Sequence, residues 1–250
     1  MNTTAPTNIS APTPEHKVDQ LLQQTQDLWR GSNQHNTAVD NPGARHSLLA
    51  DDLFADHEIT DNGAGQSTGH AELDALLPWG AWPQAGLIEV INKQAGIGEL
   101  QLLAPLLRDR SQQQSSSILW IAPPYPLHGP ALAQMGVNTR NSFVVPAQAS
   151  CNQALWSIEK ALQSQECGLV LAWQNWLSAR VIRRLQLAAR EGNTLGVLFH
   201  QRPAAHSPST LQLQLSSAPV TEAGYRNMDV QLLKARGSHK QGRVRIKLPC

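Results

Sequence analysis

The chain has 250 residues, 41% of them hydrophobic, with a formal net charge of +1. That is enough for one large domain with extensions and a substantial core. Three cysteines (Cys151, Cys167, Cys250) and nine histidines show neither CxxC nor paired HxxxH spacing, which argues against the common zinc and disulfide frameworks. No apolar run approaches the roughly 18 residues of a membrane span. An odd cysteine count without a secretory signal fits a reducing cytoplasm.

Charge is spread unevenly. Residues 1–66 hold three cations against nine carboxylates, a net −6, whereas residues 224–250 hold seven cations against Asp229, a net +6. An acidic arm and a basic tail imply either different partners at the two ends or solvated termini that keep the chain soluble.

Taken in chain order, residues 1–14 are rich in Asn, Thr, Pro and Ala and are expected to be disordered. Val18, Leu21, Leu22 and Leu28 predict a short helix over 17–29. Residues 31–65 read as a polar linker with an apolar docking island at Leu48, Leu49, Leu53 and Phe54. A leader over 1–66 therefore precedes a core over 67–250. There, Leu73, Leu76 and Leu77 suggest a short helix ended by Pro78.

From this point strands and helices alternate. Apolar runs at 87–91, 118–122, 143–145, 169–173 and 195–199 predict five buried strands. Helices are predicted over 99–110, with Pro105 a kink, and over 130–135 and 152–165. A further helix runs from a Ser178 cap to Arg190, stopped by Gly192. Such an order implies a mostly parallel sheet covered on both faces. Alternation at Leu211, Leu213 and Leu215, at Val230 and Leu232, and at Val244, Ile246 and Leu248 predicts antiparallel strands added at the end.

The turn Gln94-Ala95-Gly96-Ile97-Gly98-Glu99-Leu100 lies between a strand and a helix, the setting of a phosphate-binding loop. A working loop ends in Gly-Lys followed by Ser or Thr. Here Glu99 and Leu100 occupy those places, so a carboxylate would repel triphosphate and no hydroxyl can ligate Mg²⁺. The strand ending at Ala172-Trp173 lacks a metal-binding Asp, and Pro123-Pro124-Tyr125-Pro126 stands where a catalytic carboxylate is needed. ATP hydrolysis is not expected, and no cofactor or metal is assigned.

Several segments in shared order resemble the RecA-type ATPase core from about Ser67 to Lys247: Ser67-Thr68-Gly69, Leu73-Asp74, Gly86 with Leu87-Ile88-Glu89-Val90, Phe199-His200-Gln201, and residues 230–236. The loop after Gln201, Arg202-Pro203-Ala204-Ala205-His206-Ser207-Pro208, is short and lacks the glycines of RecA's DNA-binding loop. A narrower resemblance covers nearly the whole chain. Leu28-Trp29-Arg30-Gly31, Leu77-Pro78-Trp79-Gly80-Ala81-Trp82-Pro83, Gly96-Ile97-Gly98-Glu99-Leu100, Trp120-Ile121-Ala122-Pro123-Pro124 and Leu233-Lys234-Ala235-Arg236-Gly237 are similar to the ImuA family of RecA-related SOS mutasome accessory proteins. The related SulA family, which inhibits division by binding FtsZ, shares the middle of this pattern. The length and the leader favour ImuA.

The resemblance implies a non-enzymatic, RecA-like α/β protein that supports error-prone DNA synthesis. Its implied partners are RecA, an ImuB-like polymerase subunit and an error-prone replicative-type polymerase, with FtsZ the partner in the SulA alternative. Candidate contact residues follow from the sequence. Trp79 and Trp82 bracket Gly80 as anchors. Arg180 and Arg184 share a helix face, either as a solvated surface or as a contact to DNA or an acidic partner. Lys234 and Arg236 precede Arg243, Arg245 and Lys247, which line one side of a strand and suit an acidic partner or DNA.

Overall fold

A computed structural model of the protein describes residues 65–250 apart from 114, 115, 176, 204, 205, 221 and 250. The helix expected over 17–29, the apolar island at Leu48–Phe54 and the Leu28-Trp29-Arg30-Gly31 segment lie outside the described residues.

The central strand, β1 (Gly86–Asn92), is buried at all seven positions, as expected of an apolar run in the middle of a sheet. It pairs in parallel with β5 (Leu195–His200) and β6 (Leu211–Ala218). On the β5 side follow β4 (Cys167–Trp173), β2 (Ser117–Ile121) and the edge strand β3 (Ser142–Val145), also parallel. On the other side β7 (Tyr225–Ala235) and β8 (Gly242–Pro249) run antiparallel to their neighbours. The order is β3-β2-β4-β5-β1-β6-β7-β8 in one eight-stranded sheet.

Side chains alternate between two cores because successive strand residues point to opposite faces. Ile88 and Val90 join Leu171, Val197, Leu213, Val230 and Ile246 on one face. Leu87 joins Val170 and Leu198 on the other. The first face is covered by short pieces: α1 (Ala71–Leu76), α2 (Glu99–Leu102) and α3 (Ala104–Gln112). The break between α2 and α3 falls at Leu103, where the chain adjusts to Pro105, which has no N–H to give. A six-residue α4 (Gly129–Gln134) follows β2.

The second face carries α5 (Cys151–Gln163) and α6 (Ala179–Glu191), 13 residues each. A capping box between Ser150 and Gln153 starts α5, and the Ser178 side chain caps α6 by accepting from Val181 N–H. Buried Gln186 of α6 accepts from Leu87 N–H at 2.9 Å and donates to Thr210 Oγ1 at 3.0 Å. It thereby satisfies the start of β1 where strand pairing leaves off.

The expected fold class, a RecA-like mostly parallel sheet flanked by helices with antiparallel strands at its end, is corrected by this architecture. The molecule is a mixed sheet of eight strands with few helices. Three of its helices have only four to six residues, too short to layer a sheet, and the two long ones lie on the same face. The outer side of β7 and β8, with Gln231, Arg243, Arg245 and Lys247, is open to solvent. Among the described residues, no helix is long and apolar enough to cross a membrane.

Close packing behind α6 gives a test of this arrangement. A Cβ on Gly192 would lie 2.1 Å from Leu162 O and 2.7 Å from Gln163 C, both backbone atoms that cannot swing away. At Gly129 nothing lies within 4 Å. Gly192→Ala is expected to cost about 1–3 kcal/mol, whereas Gly129→Ala stays within about 0.5 kcal/mol of the parent. Urea unfolding of both variants reads the difference; equal midpoints would contradict the packing.

Candidate functional site: a loop closed on its own carboxylate

The turn from β1 to α2 uses left-handed backbone at Gly96 (φ 82°) and Gly98 (φ 110°), which side-chain-bearing residues rarely adopt. These two conformations aim peptide N–H groups inward, an arrangement that takes up anions at the start of a helix. The anion here belongs to the chain. Glu99 Oε1 accepts from Gly96 N–H at 2.7 Å, and Oε2 accepts from Gly98 N–H at 3.1 Å. Glu99 is only 5% exposed.

Neighbouring strands hold this closed loop in place. Arg226 of β7 donates from Nη1 to the Gly96 carbonyl at 3.2 Å, and Leu248 of β8 packs beside Gly98. Ile97 and Leu100 lean on the adjacent core. At the end of β4, Trp173 lies flat on Phe199 with ring centroids 4.4 Å apart, and Trp120 stacks beyond it at 6.3 Å. Aromatic area thus fills the strand ends. Among the described residues, no group of three or more His, Cys, Asp or Glu could hold a metal ion.

A second polar centre lies in the sheet itself. Glu89 of β1 is fully buried. Its Oε1 accepts from Ser207 Oγ and from Gln212 Nε2, the latter at 3.2 Å, and its Oε2 faces His200 Nε2 at 3.5 Å. His200 Nδ1 lies 2.7 Å from the Gln174 carbonyl, which can only accept, so Nδ1 carries a proton. Lys234 Nζ donates to the Ser207 carbonyl. Burial pushes the Lys234 ammonium below its usual pKa, while the Glu89 carboxylate pulls the other way. The cluster fastens the connector between β5 and β6 onto β1. Sequence reasoning missed it, although a lone Glu inside an apolar strand demands buried partners.

The sequence-proposed contact residues do not gather at one place. Trp82 is fully buried, its backbone N–H donating to Gln66 O at 2.8 Å, while Trp79 is half-buried against the core. Arg180 is exposed on α6; Arg184 pairs with Glu159 of α5 at 3.2 Å. Arg236 is exposed. Register places Arg245 opposite Asp229 and Arg243 opposite Gln231. Both guanidinium groups bind the Asp229 carboxylate, Arg243 at 2.6 Å and Arg245 at 2.8 and 3.1 Å. Lys247 pairs with Glu222 and sits 4.1 Å over the Tyr225 ring. Lys240 Nζ donates to Ala75 O at 2.7 Å and so caps the end of α1. Much of the basic tail is therefore answered within the molecule.

Known proteins resemble the chain in part. The family model "Cell division inhibitor SulA" matches residues 86–196, from β1 to the start of β5. Protein ImuA of Caulobacter vibrioides (strain NA1000 / CB15N) is 26% identical over 141 residues, covering 55% of this chain and 57% of that protein. The cell division inhibitor SulA of Edwardsiella piscicida is 30% identical over 144 residues, covering 58% of this chain and 81% of that protein. The crystal structure of SulA from Pseudomonas aeruginosa shares 27% identity at a TM-score of 0.38, covering 45% of this chain and 96% of that one. The chain thus spans little more than half the length of the ImuA relatives.

The Asp229 pair yields a pH prediction. Hydrogen bonds from Arg245, with Arg243 adding to them, hold this carboxyl below its usual range. A depressed folded pKa contributes stability that is present above the unfolded value of about 3.9 and lost as pH falls through the folded one. Urea unfolding should therefore show wild type more stable than Asp229→Asn at neutral pH. The gap should close as pH drops below about 4. A gap that stays constant down to pH of about 2 would contradict the pairing.

Proposed function

Because the chain belongs to the ImuA/SulA-related family, we propose that it is a non-catalytic accessory factor of the SOS response that supports error-prone DNA synthesis past damage. The observation that carries this reading is the Glu99 carboxylate seated on Gly96 and Gly98 N–H. A nest filled by its own side chain leaves no place for a γ-phosphate, and an exposed anion would have to displace two charge-assisted hydrogen bonds. With Trp173 stacked at the end of β4, the chain has no Mg²⁺ ligand there and hydrolyses no ATP. What remains is binding. RecA, an ImuB-like polymerase subunit and an error-prone replicative-type polymerase are the proposed partners, and a cytoplasmic site of action goes with them.

A second reading, a division inhibitor that binds FtsZ, is favoured by one observation. The SulA family model falls on residues 86–196, which hold the closed loop and both long helices. Against it, the basic strands β7 and β8 and the leader lie outside that match.

Deleting the gene separates the two. Damage-induced mutation frequency should fall about tenfold or more, the scale expected when a required binding step is lost, while damage-induced filamentation continues. Unchanged mutagenesis with lost filamentation would assign the protein to division control instead.

A further inference from the structure

Glu89 and His200 meet in a way that their lone pairs alone cannot satisfy. Glu89 is fully buried and His200 is 5% exposed. With its Nδ1 proton given to the Gln174 carbonyl, a neutral His200 ring has only a lone pair at Nε2, and an ionised carboxylate oxygen likewise only accepts. Yet Nε2 and Glu89 Oε2 face each other at 3.5 Å, and among the described residues neither atom has a hydrogen-bond partner. Two buried acceptors set against each other are unfavourable unless a proton lies between them.

The surroundings do not supply that proton. Glu89 Oε1 already accepts from Ser207 Oγ and Gln212 Nε2. From β7, Lys234 feels the Glu89 charge, and Arg236 acts on Lys234 in turn. Helix α6, joined to β1 through Gln186 and Leu87, buries Ile182, Leu185, Gln186, Ala188 and Ala189, none of them charged.

The consequence falls on the connector between β5 and β6, residues 201–210. It leaves from His200 and returns through Ser207, so one carboxylate holds it at two points. Beyond Ser207, the Ser209 N–H donates to Ser207 Oγ at 3.3 Å and the Thr210 N–H donates to Leu87 O at 3.0 Å. Gln201 and Pro203 of the connector also line a cleft of about 530 Å³, together with Lys93, Gln94 and Ile97 of the β1–α2 turn. The seat of the connector therefore sets the shape of that cleft.

We propose that one proton held jointly by Glu89 and His200 latches this connector onto β1, and that its departure to solvent as pH rises sets the connector free. Losing it leaves a neutral imidazole facing a buried carboxylate. Ser207 can then turn from Glu89 to the Ser209 hydroxyl, which lies 3.2 Å away. The sign follows from counting protons: the closed form binds one more than the open form, so closure is favoured at low pH and lost as pH rises. This inference stands on the buried cluster alone and is independent of the SOS reading.

Amide exchange of Ser209 and Thr210, corrected for the intrinsic rate, is followed by NMR on the full chain from pH of about 6 to about 9, upward from the ordinary histidine range. Protection of both should fall by up to about tenfold per pH unit, while Val197 in the middle of β5 keeps its own. Glu89→Gln retains an acceptor for Ser207 and offers His200 Nε2 a permanent N–H, so its protection should not change with pH. His200→Gln offers Glu89 Oε2 a permanent N–H and should be equally flat, a test that does not need the Glu89 variant to fold. Lys234→Gln removes the other nearby titratable group and should still respond to pH. Flat protection in the wild type, a parallel fall at Val197, a response that survives in Glu89→Gln or His200→Gln, or one that vanishes in Lys234→Gln would overturn the proposal.

Discussion

The Glu99 carboxylate bound to the N–H groups of Gly96 and Gly98 is the constraint from which the functional argument descends. Two left-handed glycines create inward-facing donors, and donors in such a turn require an acceptor. In a nucleotide-binding protein the acceptor arrives from solution. Here the first residue of α2 supplies it, so the donors of the β1–α2 turn are satisfied without a ligand. Arg226 and Leu248 pack against that same turn, which ties the last two strands to a loop more than a hundred positions earlier in the chain.

Self-satisfaction recurs on a larger scale. Glu89 draws Ser207 and Gln212 to its Oε1 and faces His200 with its Oε2, while Lys234 closes over the Ser207 carbonyl. An unpaired carboxylate at that depth would be several kcal/mol too costly to keep charged, so the partners are a condition of Glu89 being there. On the surface, Asp229 answers two arginines and Glu222 answers Lys247. The net charge of +6 in the C-terminal stretch thus overstates the positive field it presents.

What could be read from the sequence was local. Seven consecutive buried residues in β1 follow from an apolar run bounded by Gly86 and the turn after Asn92. The helix break near Pro105 and the caps at Ser150 and Ser178 follow from the chemistry of single residues. The family followed from short motifs in shared order. The layering was misjudged because apolar spacing marks a segment as helical but not which face of the sheet it covers: α1 and α4 are as short as expected, and both long helices lie on the same face. The Glu89 cluster stayed hidden for another reason. Its members lie up to 145 positions from Glu89, and only the strand order brings them together. Likewise Arg243 and Arg245 looked like a docking stripe until register put Asp229 opposite Arg245, within reach of both.

The central claim is that the anion site of this loop is permanently taken by Glu99, and the most direct measurement observes the two amides that hold it. Amide NMR signals of Gly96 and Gly98 can be followed while Mg²⁺-ATP is added to millimolar concentration. The account predicts that both signals stay where they are. A saturable shift of both would show that nucleotide displaces the carboxylate, and would contradict a protein that works without one.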